Sequence, residues 1–205
     1  MTRCHRSVPT AGRLTVSVLA AGAFFFAATP ATRAQEGQRP GALESGAGVG
    51  DRSFAAEAAS GGMLEVRLGQ HVAENGKHED VRSFARRMVK DHGSANQGLE
   101  AAAQQQNLTL PTKMSEEHEQ RWERLSKLRG EELDRAYMRE MVQDHRKDVE
   151  AFRAQTKAAQ ASDRSPIDAW AQKTLPTLEH HLEDAQRVAK QVGGDLPDPA
   201  ARSGE

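Results

Sequence analysis

The protein has 205 residues, a length that allows one ordinary domain with flanking segments. Its 28 lysines and arginines balance 29 aspartates and glutamates. This balance argues against nucleic acid as the main partner, because phosphate binding needs a concentrated basic surface. Cys4 is the single cysteine, so the sequence excludes a disulfide framework.

Residues 1–34 have the pattern of a signal peptide, with arginines before an apolar run from Leu14 to Ala28. Small residues follow up to Ala34, which predicts cleavage before Gln35. The apolar run is shorter than the roughly 20 residues of a membrane span, although a retained N-terminal anchor is the alternative. Loss of the segment removes four arginines and leaves a net charge of −5. We therefore expect a periplasmic or secreted protein with no transmembrane helix after signal removal.

Residues 35–52 and 193–205 are rich in glycine and lack periodic apolar residues, which predicts a flexible linker and a disordered tail. Residues 53–192 are dominated by helix-forming residues. Turn residues divide this stretch into five predicted helices: 53–74, 78–106, 115–129, 131–160 and 165–192. Four long helices and one short helix predict an all-α four-helix bundle in which the third helix is the crossover.

A five-residue pattern, Met-Val-x-Asp-His, occurs twice, at Met88–His92 and at Met141–His145. Helical spacing places both histidines within the apolar faces of their helices. His181 has the same position on the fifth predicted helix, and Glu65 lies on the core side of the first. Each of the four bundle helices thus directs one ionisable group inward.

Bundles build metal sites from side chains that facing helices project inward. Three imidazoles and a carboxylate suit zinc, copper or iron, and Asp91 and Asp144 would orient the ligands by hydrogen bonds. The alternative is a layer of core histidines that hydrogen-bond to carboxylates or carbonyls. Asp91 and Asp144 would then bind an arginine or the backbone of a neighbouring helix. The spacing does not show whether the inward groups lie at the same height.

The ordered residues of this stretch resemble the bacterial exported family called domain of unknown function 4142. The matching segments extend over about residues 53–190 and include Glu65-Val66, Phe84-Ala85, both Met-Val-x-Asp-His patterns, Asp134-x-Ala136-Tyr137, Leu175-Pro176-x-Leu178 and His181. The resemblance implies a ferritin-like helical bundle, usually exported, with some members labelled as outer-membrane proteins, and it implies no activity. Its recurring polar positions are matched here by Glu65, Asp91, His92, Asp144, His145 and His181.

Di-iron bundles carry a Glu-x-x-His pair on two helices, and no such pair occurs in this sequence. A ferroxidase of the usual kind is therefore not expected. We expect a non-enzymatic exported protein that binds a transition-metal ion through Glu65, His92, His145 and His181. The alternative is a structural or partner-binding envelope protein with buried Asp-His hydrogen-bond networks. A metal-dependent oxidoreductase is the third hypothesis, and the expected partner is an envelope protein or a second copy of the chain.

Overall fold

The computed structural model describes residues 48–158 and 164–193, and the predicted signal peptide and tail lie outside this range apart from Gly193. The described part of the chain is helical. Its five helices are α1 (Val49–Asn75), α2 (Glu79–Gln105), α3 (Glu116–Leu125), α4 (Gly130–Ala158) and α5 (Pro166–Gln191). The all-α fold class predicted from composition and periodicity is thus confirmed.

The four long helices form two hairpins. α1 packs along α2, and α4 packs along α5. The hairpins meet where α2 contacts α5 and where α1 contacts α4, while the short helix α3 connects them and packs on α1 and α4. This is the predicted ferritin-like four-helix bundle with a short crossover helix. Among the helices of the described residues, none has the length and apolar character that a membrane crossing requires.

α1 begins before its predicted start. The helix starts at Val49, so the last residues of the predicted linker are helical, and the expected N-cap, Ser53, lies inside the first turns. The Ser53 hydroxyl donates to the Gly50 carbonyl at 3.0 Å. Asp51 in the first turn favours this earlier start, because its charge lies near the positive end of the helix dipole.

The start of α5 agrees with the sequence pattern. Ser165 Oγ accepts the backbone N–H of Asp168 at 3.1 Å, and Asp168 Oδ2 accepts the N–H of Ser165 at 3.0 Å. This reciprocal pair is a capping box, which satisfies two backbone donors that the helix leaves free. α3 is shorter than predicted: it ends at Leu125, whereas the sequence predicted an end near Arg129.

Two glycines allow α1 to approach α2 closely on either side of Glu65. A Cβ atom at Gly69 would lie 2.9 Å from the carbonyl oxygen of Ala85, and one at Gly62 would overlap the side chain of Asn96. A larger residue at Gly69 would therefore push the two helices apart, and one at Gly62 would displace the side chain of Asn96. Since Glu65 lies between the glycines, their close packing brings its carboxyl group towards α2.

The apolar core has two parts, separated by a polar layer. The larger part contains Phe84, Tyr137 and Met141 among its buried side chains, and the other contains Leu99 and Phe152. On α2, α4 and α5 a buried histidine falls between the positions of the two parts, namely His92, His145 and His181. On α1 the buried carboxyl residue is Glu65, which follows Leu64 of the larger part.

α3 is attached to α1 by a buried hydrogen-bond group. Ser60 Oγ lies 2.5 Å from His118 Nδ1 and accepts the backbone N–H of Ser115 at 2.7 Å. The acidic start of α3 predicts a solvated His118, but the structure buries this side chain to 2% exposure. The reason is that α3 rests on α1 through this side of its first turn.

Ser60→Ala should destabilise the protein by about 1–3 kcal/mol, because it leaves two buried polar groups without their shared partner. Thermal unfolding would measure the loss as a fall in Tm of several degrees. Ser94→Ala is the matched control, since the Ser94 hydroxyl is exposed and bonds only the Lys90 carbonyl of its own helix. Equal melting temperatures for the two variants would contradict the role of Ser60.

Candidate metal centre

Three histidines from three helices meet in the centre of the bundle. His92 on α2, His145 on α4 and His181 on α5 have ring centroids 5.4 to 5.5 Å apart. One ligand nitrogen from each ring lies within 4.8 Å of the other two. All three side chains are buried, with at most 5% exposure. The three rings therefore occupy one height in the bundle, and we call them the histidine cluster.

Each ring of the histidine cluster has one nitrogen in contact with an oxygen atom. The pairs are His92 Nδ1 with Glu65 Oε2 at 2.5 Å, His145 Nδ1 with the Met141 carbonyl at 3.0 Å and His181 Nε2 with Asp91 Oδ2 at 3.0 Å. The opposite nitrogens have no hydrogen-bond partner in the described part of the chain: they are His92 Nε2, His145 Nε2 and His181 Nδ1. Metal-binding histidines show this division, because an oxygen acceptor orients the ring and the other nitrogen binds the ion.

The geometry at His145 also determines its tautomer. A carbonyl oxygen only accepts hydrogen bonds, so the contact with Met141 requires the proton on Nδ1 of His145. The lone pair is then on Nε2, the nitrogen that has no partner. This side chain is thus oriented as a ligand without any further change of protonation.

Burial lowers the pKa of each histidine in the cluster to about 4. For His181 the hydrogen bond that its ring donates to Asp91 opposes this effect without overcoming it. All three imidazoles are therefore neutral at pH 7. Metal binding requires the neutral form, since a protonated ring has no lone pair to donate.

Glu65 contacts the histidine cluster from the side of its oriented nitrogens. One carboxyl oxygen lies 2.5 Å from His92 Nδ1, and the other lies 3.4 Å from His145 Nδ1. Burial raises the pKa of Glu65 to about 8. The sequence predicted Glu65 as a fourth ligand. The group of close ligand atoms contains the three histidines, and the carboxyl group of Glu65 lies against two of their rings.

The two aspartates of the repeated pattern have different surroundings. Asp91 is half-buried and accepts a hydrogen bond from His181, in keeping with the predicted orienting role. Asp144 instead forms a buried ion pair with Arg121 of α3 at 2.6 Å, and no hydrogen bond between Asp144 and the histidine cluster is found among the described residues. The alternative derived from the sequence, an arginine of a neighbouring helix, thus applies to Asp144.

The sequence analysis missed three polar residues around the site. Arg121 is buried on the face of α3 that also carries Leu125, and this shared face was the available signal. The hydroxyl of Tyr137 has no hydrogen-bond partner in the described part of the chain, and burial raises its pKa well above the usual range. Burial likewise raises the pKa of Asp148, and the nearby carboxyl group of Glu65 raises it further.

The fold and the histidine cluster together define a helical bundle protein with a polar layer in its core. The family model called Domain of unknown function (DUF4142) matches residues 34–188, which is most of the chain. The protein therefore belongs to the DUF4142 family, in agreement with the resemblance drawn from its motifs.

Two solved structures share this fold. A DUF305 fragment from Deinococcus radiodurans is 18% identical, with a TM-score of 0.60 over 71% of this chain and 99% of that one. A DUF305 protein from Streptomyces coelicolor, provisionally described as secreted, is 13% identical, with a TM-score of 0.59 over 73% of this chain and 97% of that one. At such identities the similarity concerns the fold alone. No curated protein matches the sequence significantly.

Proposed function

We propose that the protein is an exported metal-binding protein and that the histidine cluster ligates one transition-metal ion. The observation that carries this proposal is the set of three buried ring nitrogens without hydrogen-bond partners, which come from rings whose other nitrogens are held by oxygen atoms. An unpaired buried polar atom is costly, and each of these three rings places one ligand nitrogen within 4.8 Å of the other two. A shared ligand would explain both observations. In a tetrahedral zinc site the nitrogens lie about 3.3 Å apart, so binding draws the rings together by an ångström or so.

The ligand set favours particular ions. Three neutral imidazoles suit zinc and copper. Iron(II) is held more weakly by the same nitrogens, because divalent affinities rise along the series from iron to copper. We therefore expect zinc or copper(II) to bind more tightly than iron(II), and we assign no catalytic activity to the protein.

Export is supported by two observations. The N-terminal 34 residues have the signal-peptide pattern described above. The similar protein from Streptomyces coelicolor is provisionally described as secreted. N-terminal sequencing of the protein recovered from its native cells should begin at Gln35, whereas a start at Met1 or Thr2 would contradict cleavage.

Metal binding itself is tested by equilibrium dialysis together with thermal unfolding. We expect one zinc or copper ion per chain. At a free metal concentration of about 1,000 times Kd, binding should stabilise the native state by about 4 kcal/mol and raise Tm by roughly 10 °C. A chelator should reverse the increase. Absence of bound metal, with a Tm that does not respond to metal or chelator, would overturn the proposal.

Glu65→Gln should weaken metal binding about 10- to 100-fold, the usual effect of losing a carboxylate that orients a ligand histidine. The same substitution should stabilise the metal-free protein, because glutamine fills the buried site without the cost of a charge. If Glu65 served only in packing, the substitution would not both weaken metal binding and stabilise the metal-free protein. Isothermal titration and unfolding in chelator measure the two effects.

The stabilisation by Glu65→Gln should depend on pH. The carboxyl group of Glu65 has a pKa of about 8 in the folded protein and an ordinary value of 4.5 when unfolded. The folded state thus binds the proton more tightly, so ionisation of Glu65 lowers stability progressively as the pH rises from 4.5 to 8. The advantage of the variant should be small at pH 4.5 and largest at pH 8. Glu132→Gln, at an exposed position of α4, is the control and should show no such trend.

A second hypothesis, a structural protein held by buried polar networks, is favoured by the ion pair of Asp144 with Arg121, which joins α3 to α4. Under this hypothesis His92→Ala costs stability, about 1–3 kcal/mol for the lost buried partner, and leaves metal content unchanged. Under the metal hypothesis the same variant loses the bound ion. Elemental analysis of the variant distinguishes the two.

A further inference from the structure

A small chamber lies beside the histidine cluster, inside the bundle. Its volume is about 30 Å³, and its wall includes His92, Glu65, Phe152 and Trp170. All four long helices contribute to this wall. Asn96 and Asp148 add two further polar side chains, and the remaining wall is formed by small or apolar residues. The chamber is thus a mainly apolar pocket with a few polar side chains, and it is in contact with one of the proposed ligands.

The histidine cluster supplies three ligands, which leaves a tetrahedral ion one position short. Zinc centres with three protein ligands keep this position for water or another exogenous molecule, whereas closed structural sites have four protein ligands. No fourth histidine, cysteine or carboxylate joins the group of close ligand atoms within the described ranges. The protein thus has the ligand count of an open centre.

One oxygen of Glu65 points to the presence of a small polar molecule in the chamber. Glu65 Oε1 is fully buried and has no hydrogen-bond partner in the described part of the chain. Buried polar atoms are normally satisfied, by protein or by ordered water. Because Glu65 lines the chamber, a molecule held there would lie next to this carboxyl group.

The size of the chamber limits what it can hold. A water molecule needs about 10–15 Å³ of such space and two to four polar partners. A chamber of about 30 Å³ therefore has room for one or two water molecules. Glu65, Asn96 and Asp148 are suitable partners. An aromatic or multiply branched molecule is excluded.

The chamber is close to an outer groove between α2 and α5. This groove has a volume of about 340 Å³ and includes Asp91 and Lys173 in its wall. Ala95, Trp170 and Thr174 line both the groove and the chamber. The indole N–H of Trp170 donates to the Ala95 carbonyl at 3.0 Å. The chamber and the groove thus share part of their walls, so the groove is the expected entrance for a small molecule.

We propose that the chamber holds the exogenous fourth ligand of the metal ion, which is a water molecule or an inorganic anion of two or three atoms. This inference rests on the proposed metal site and adds that the centre is open and selective by size. The ligand reaches the chamber from the outer groove, past Trp170. The centre thereby differs from a closed structural metal site, which binds no external molecule.

The test uses the full protein loaded with cobalt(II), because the visible absorption of cobalt reports its coordination. Azide and benzoate are added in separate titrations. We expect a saturable spectral change with azide and none with benzoate, which is too large for the chamber. If cobalt binds but its spectrum does not respond to azide, the proposed role of the chamber is wrong, whereas the proposed metal site is still supported. Equal responses to both anions would overturn selection by size, and absence of bound cobalt would overturn the metal site and the chamber together.

Ala95→Leu provides a second arm, since the larger side chain fills the chamber. Azide affinity should fall at least tenfold while cobalt remains bound. Ala73→Leu is the control, at a partly buried alanine of α1 that packs against the larger part of the core, and it should retain azide binding. Unchanged azide affinity in a folded Ala95→Leu protein would contradict the proposal. The comparison of azide with benzoate on the unmodified protein decides the question if this variant does not fold.

Discussion

Replacing His181 with alanine should reduce the affinity for zinc by at least a hundredfold, because a direct ligand contributes more than the 10- to 100-fold of an orienting neighbour. His181 is 1% exposed and belongs to the histidine cluster. Competition with a chromophoric chelator measures the change in Kd. The effect should exceed that of Glu65→Gln, since Glu65 acts on the ion only through a ring.

The adjacent residue is the matched control for this prediction. His180 lies on the same helix, one position earlier, and its side chain is 64% exposed beside Asp184. His180→Ala removes the same chemical group from the same segment and should leave zinc affinity unchanged. Melting curves in chelator establish that both variants are folded. Equal losses of affinity in the two variants would show that zinc binds at the surface and not in the bundle.

Arg121→Ala should destabilise the protein by about 3–5 kcal/mol, because it leaves the carboxylate of Asp144 buried without a partner. The pair is close, with a distance of 2.6 Å, and both side chains are mostly buried. Glu140 lies 3.4 Å from the same guanidinium and would retain its contact with Arg124 at 3.7 Å. Chemical denaturation should show the loss as a lower midpoint with an unchanged m-value.

Two comparisons identify the cause of this effect. Arg124→Ala, on the same helix, removes a guanidinium that is 62% exposed and lies 3.7 Å from Glu140. This variant should lose less than about 1 kcal/mol, as surface ion pairs do. The double variant Arg121→Ala, Asp144→Asn should recover part of the stability, because the unpaired charge is removed. A cost for Arg121→Ala no larger than that for Arg124→Ala would contradict the buried ion pair.

The helices and their inward faces could be predicted from the sequence because they follow from local periodicity. His92 falls in a stripe of apolar residues at steps of three and four, and any bundle that buries this stripe also buries the histidine. The same argument applies to His145 and His181. The start of α5 was predictable for a similar reason, since Ser165 and Asp168 form a contact within one turn.

The convergence of the histidines could not be derived from periodicity. Their common height depends on how far each helix slides along its neighbours, which is set by long-range packing. The close approach of α1 to α2 at Gly62 and Gly69 is one such determinant, and it becomes visible only when both helices are placed. The position of Glu65 depends on this approach. Helical spacing alone therefore does not tell whether Glu65 binds the metal ion directly or orients a histidine ring that binds it.

The burial of Arg121 and Asp148 was not predicted from the sequence pattern. A charged residue in a helical sequence is normally assigned to the solvated face. Arg121 is buried because its partner, Asp144, belongs to another helix, and the pair compensates its own burial. Asp148 follows His145 by three residues and precedes Phe152 by four, so helical spacing places it on the inward face, and it lines the chamber. For both residues the spacing indicated the inward face, but their burial depends on partners from other parts of the fold.

The location of the ion is the most direct test of the account. Crystals of the protein grown with zinc, with diffraction recorded on both sides of the zinc absorption edge, would show it as an anomalous difference peak. We expect one peak per chain, about 2.0–2.1 Å from His92 Nε2, His145 Nε2 and His181 Nδ1. A crystal with zinc bound only at surface residues, and no peak between these three rings, would contradict it.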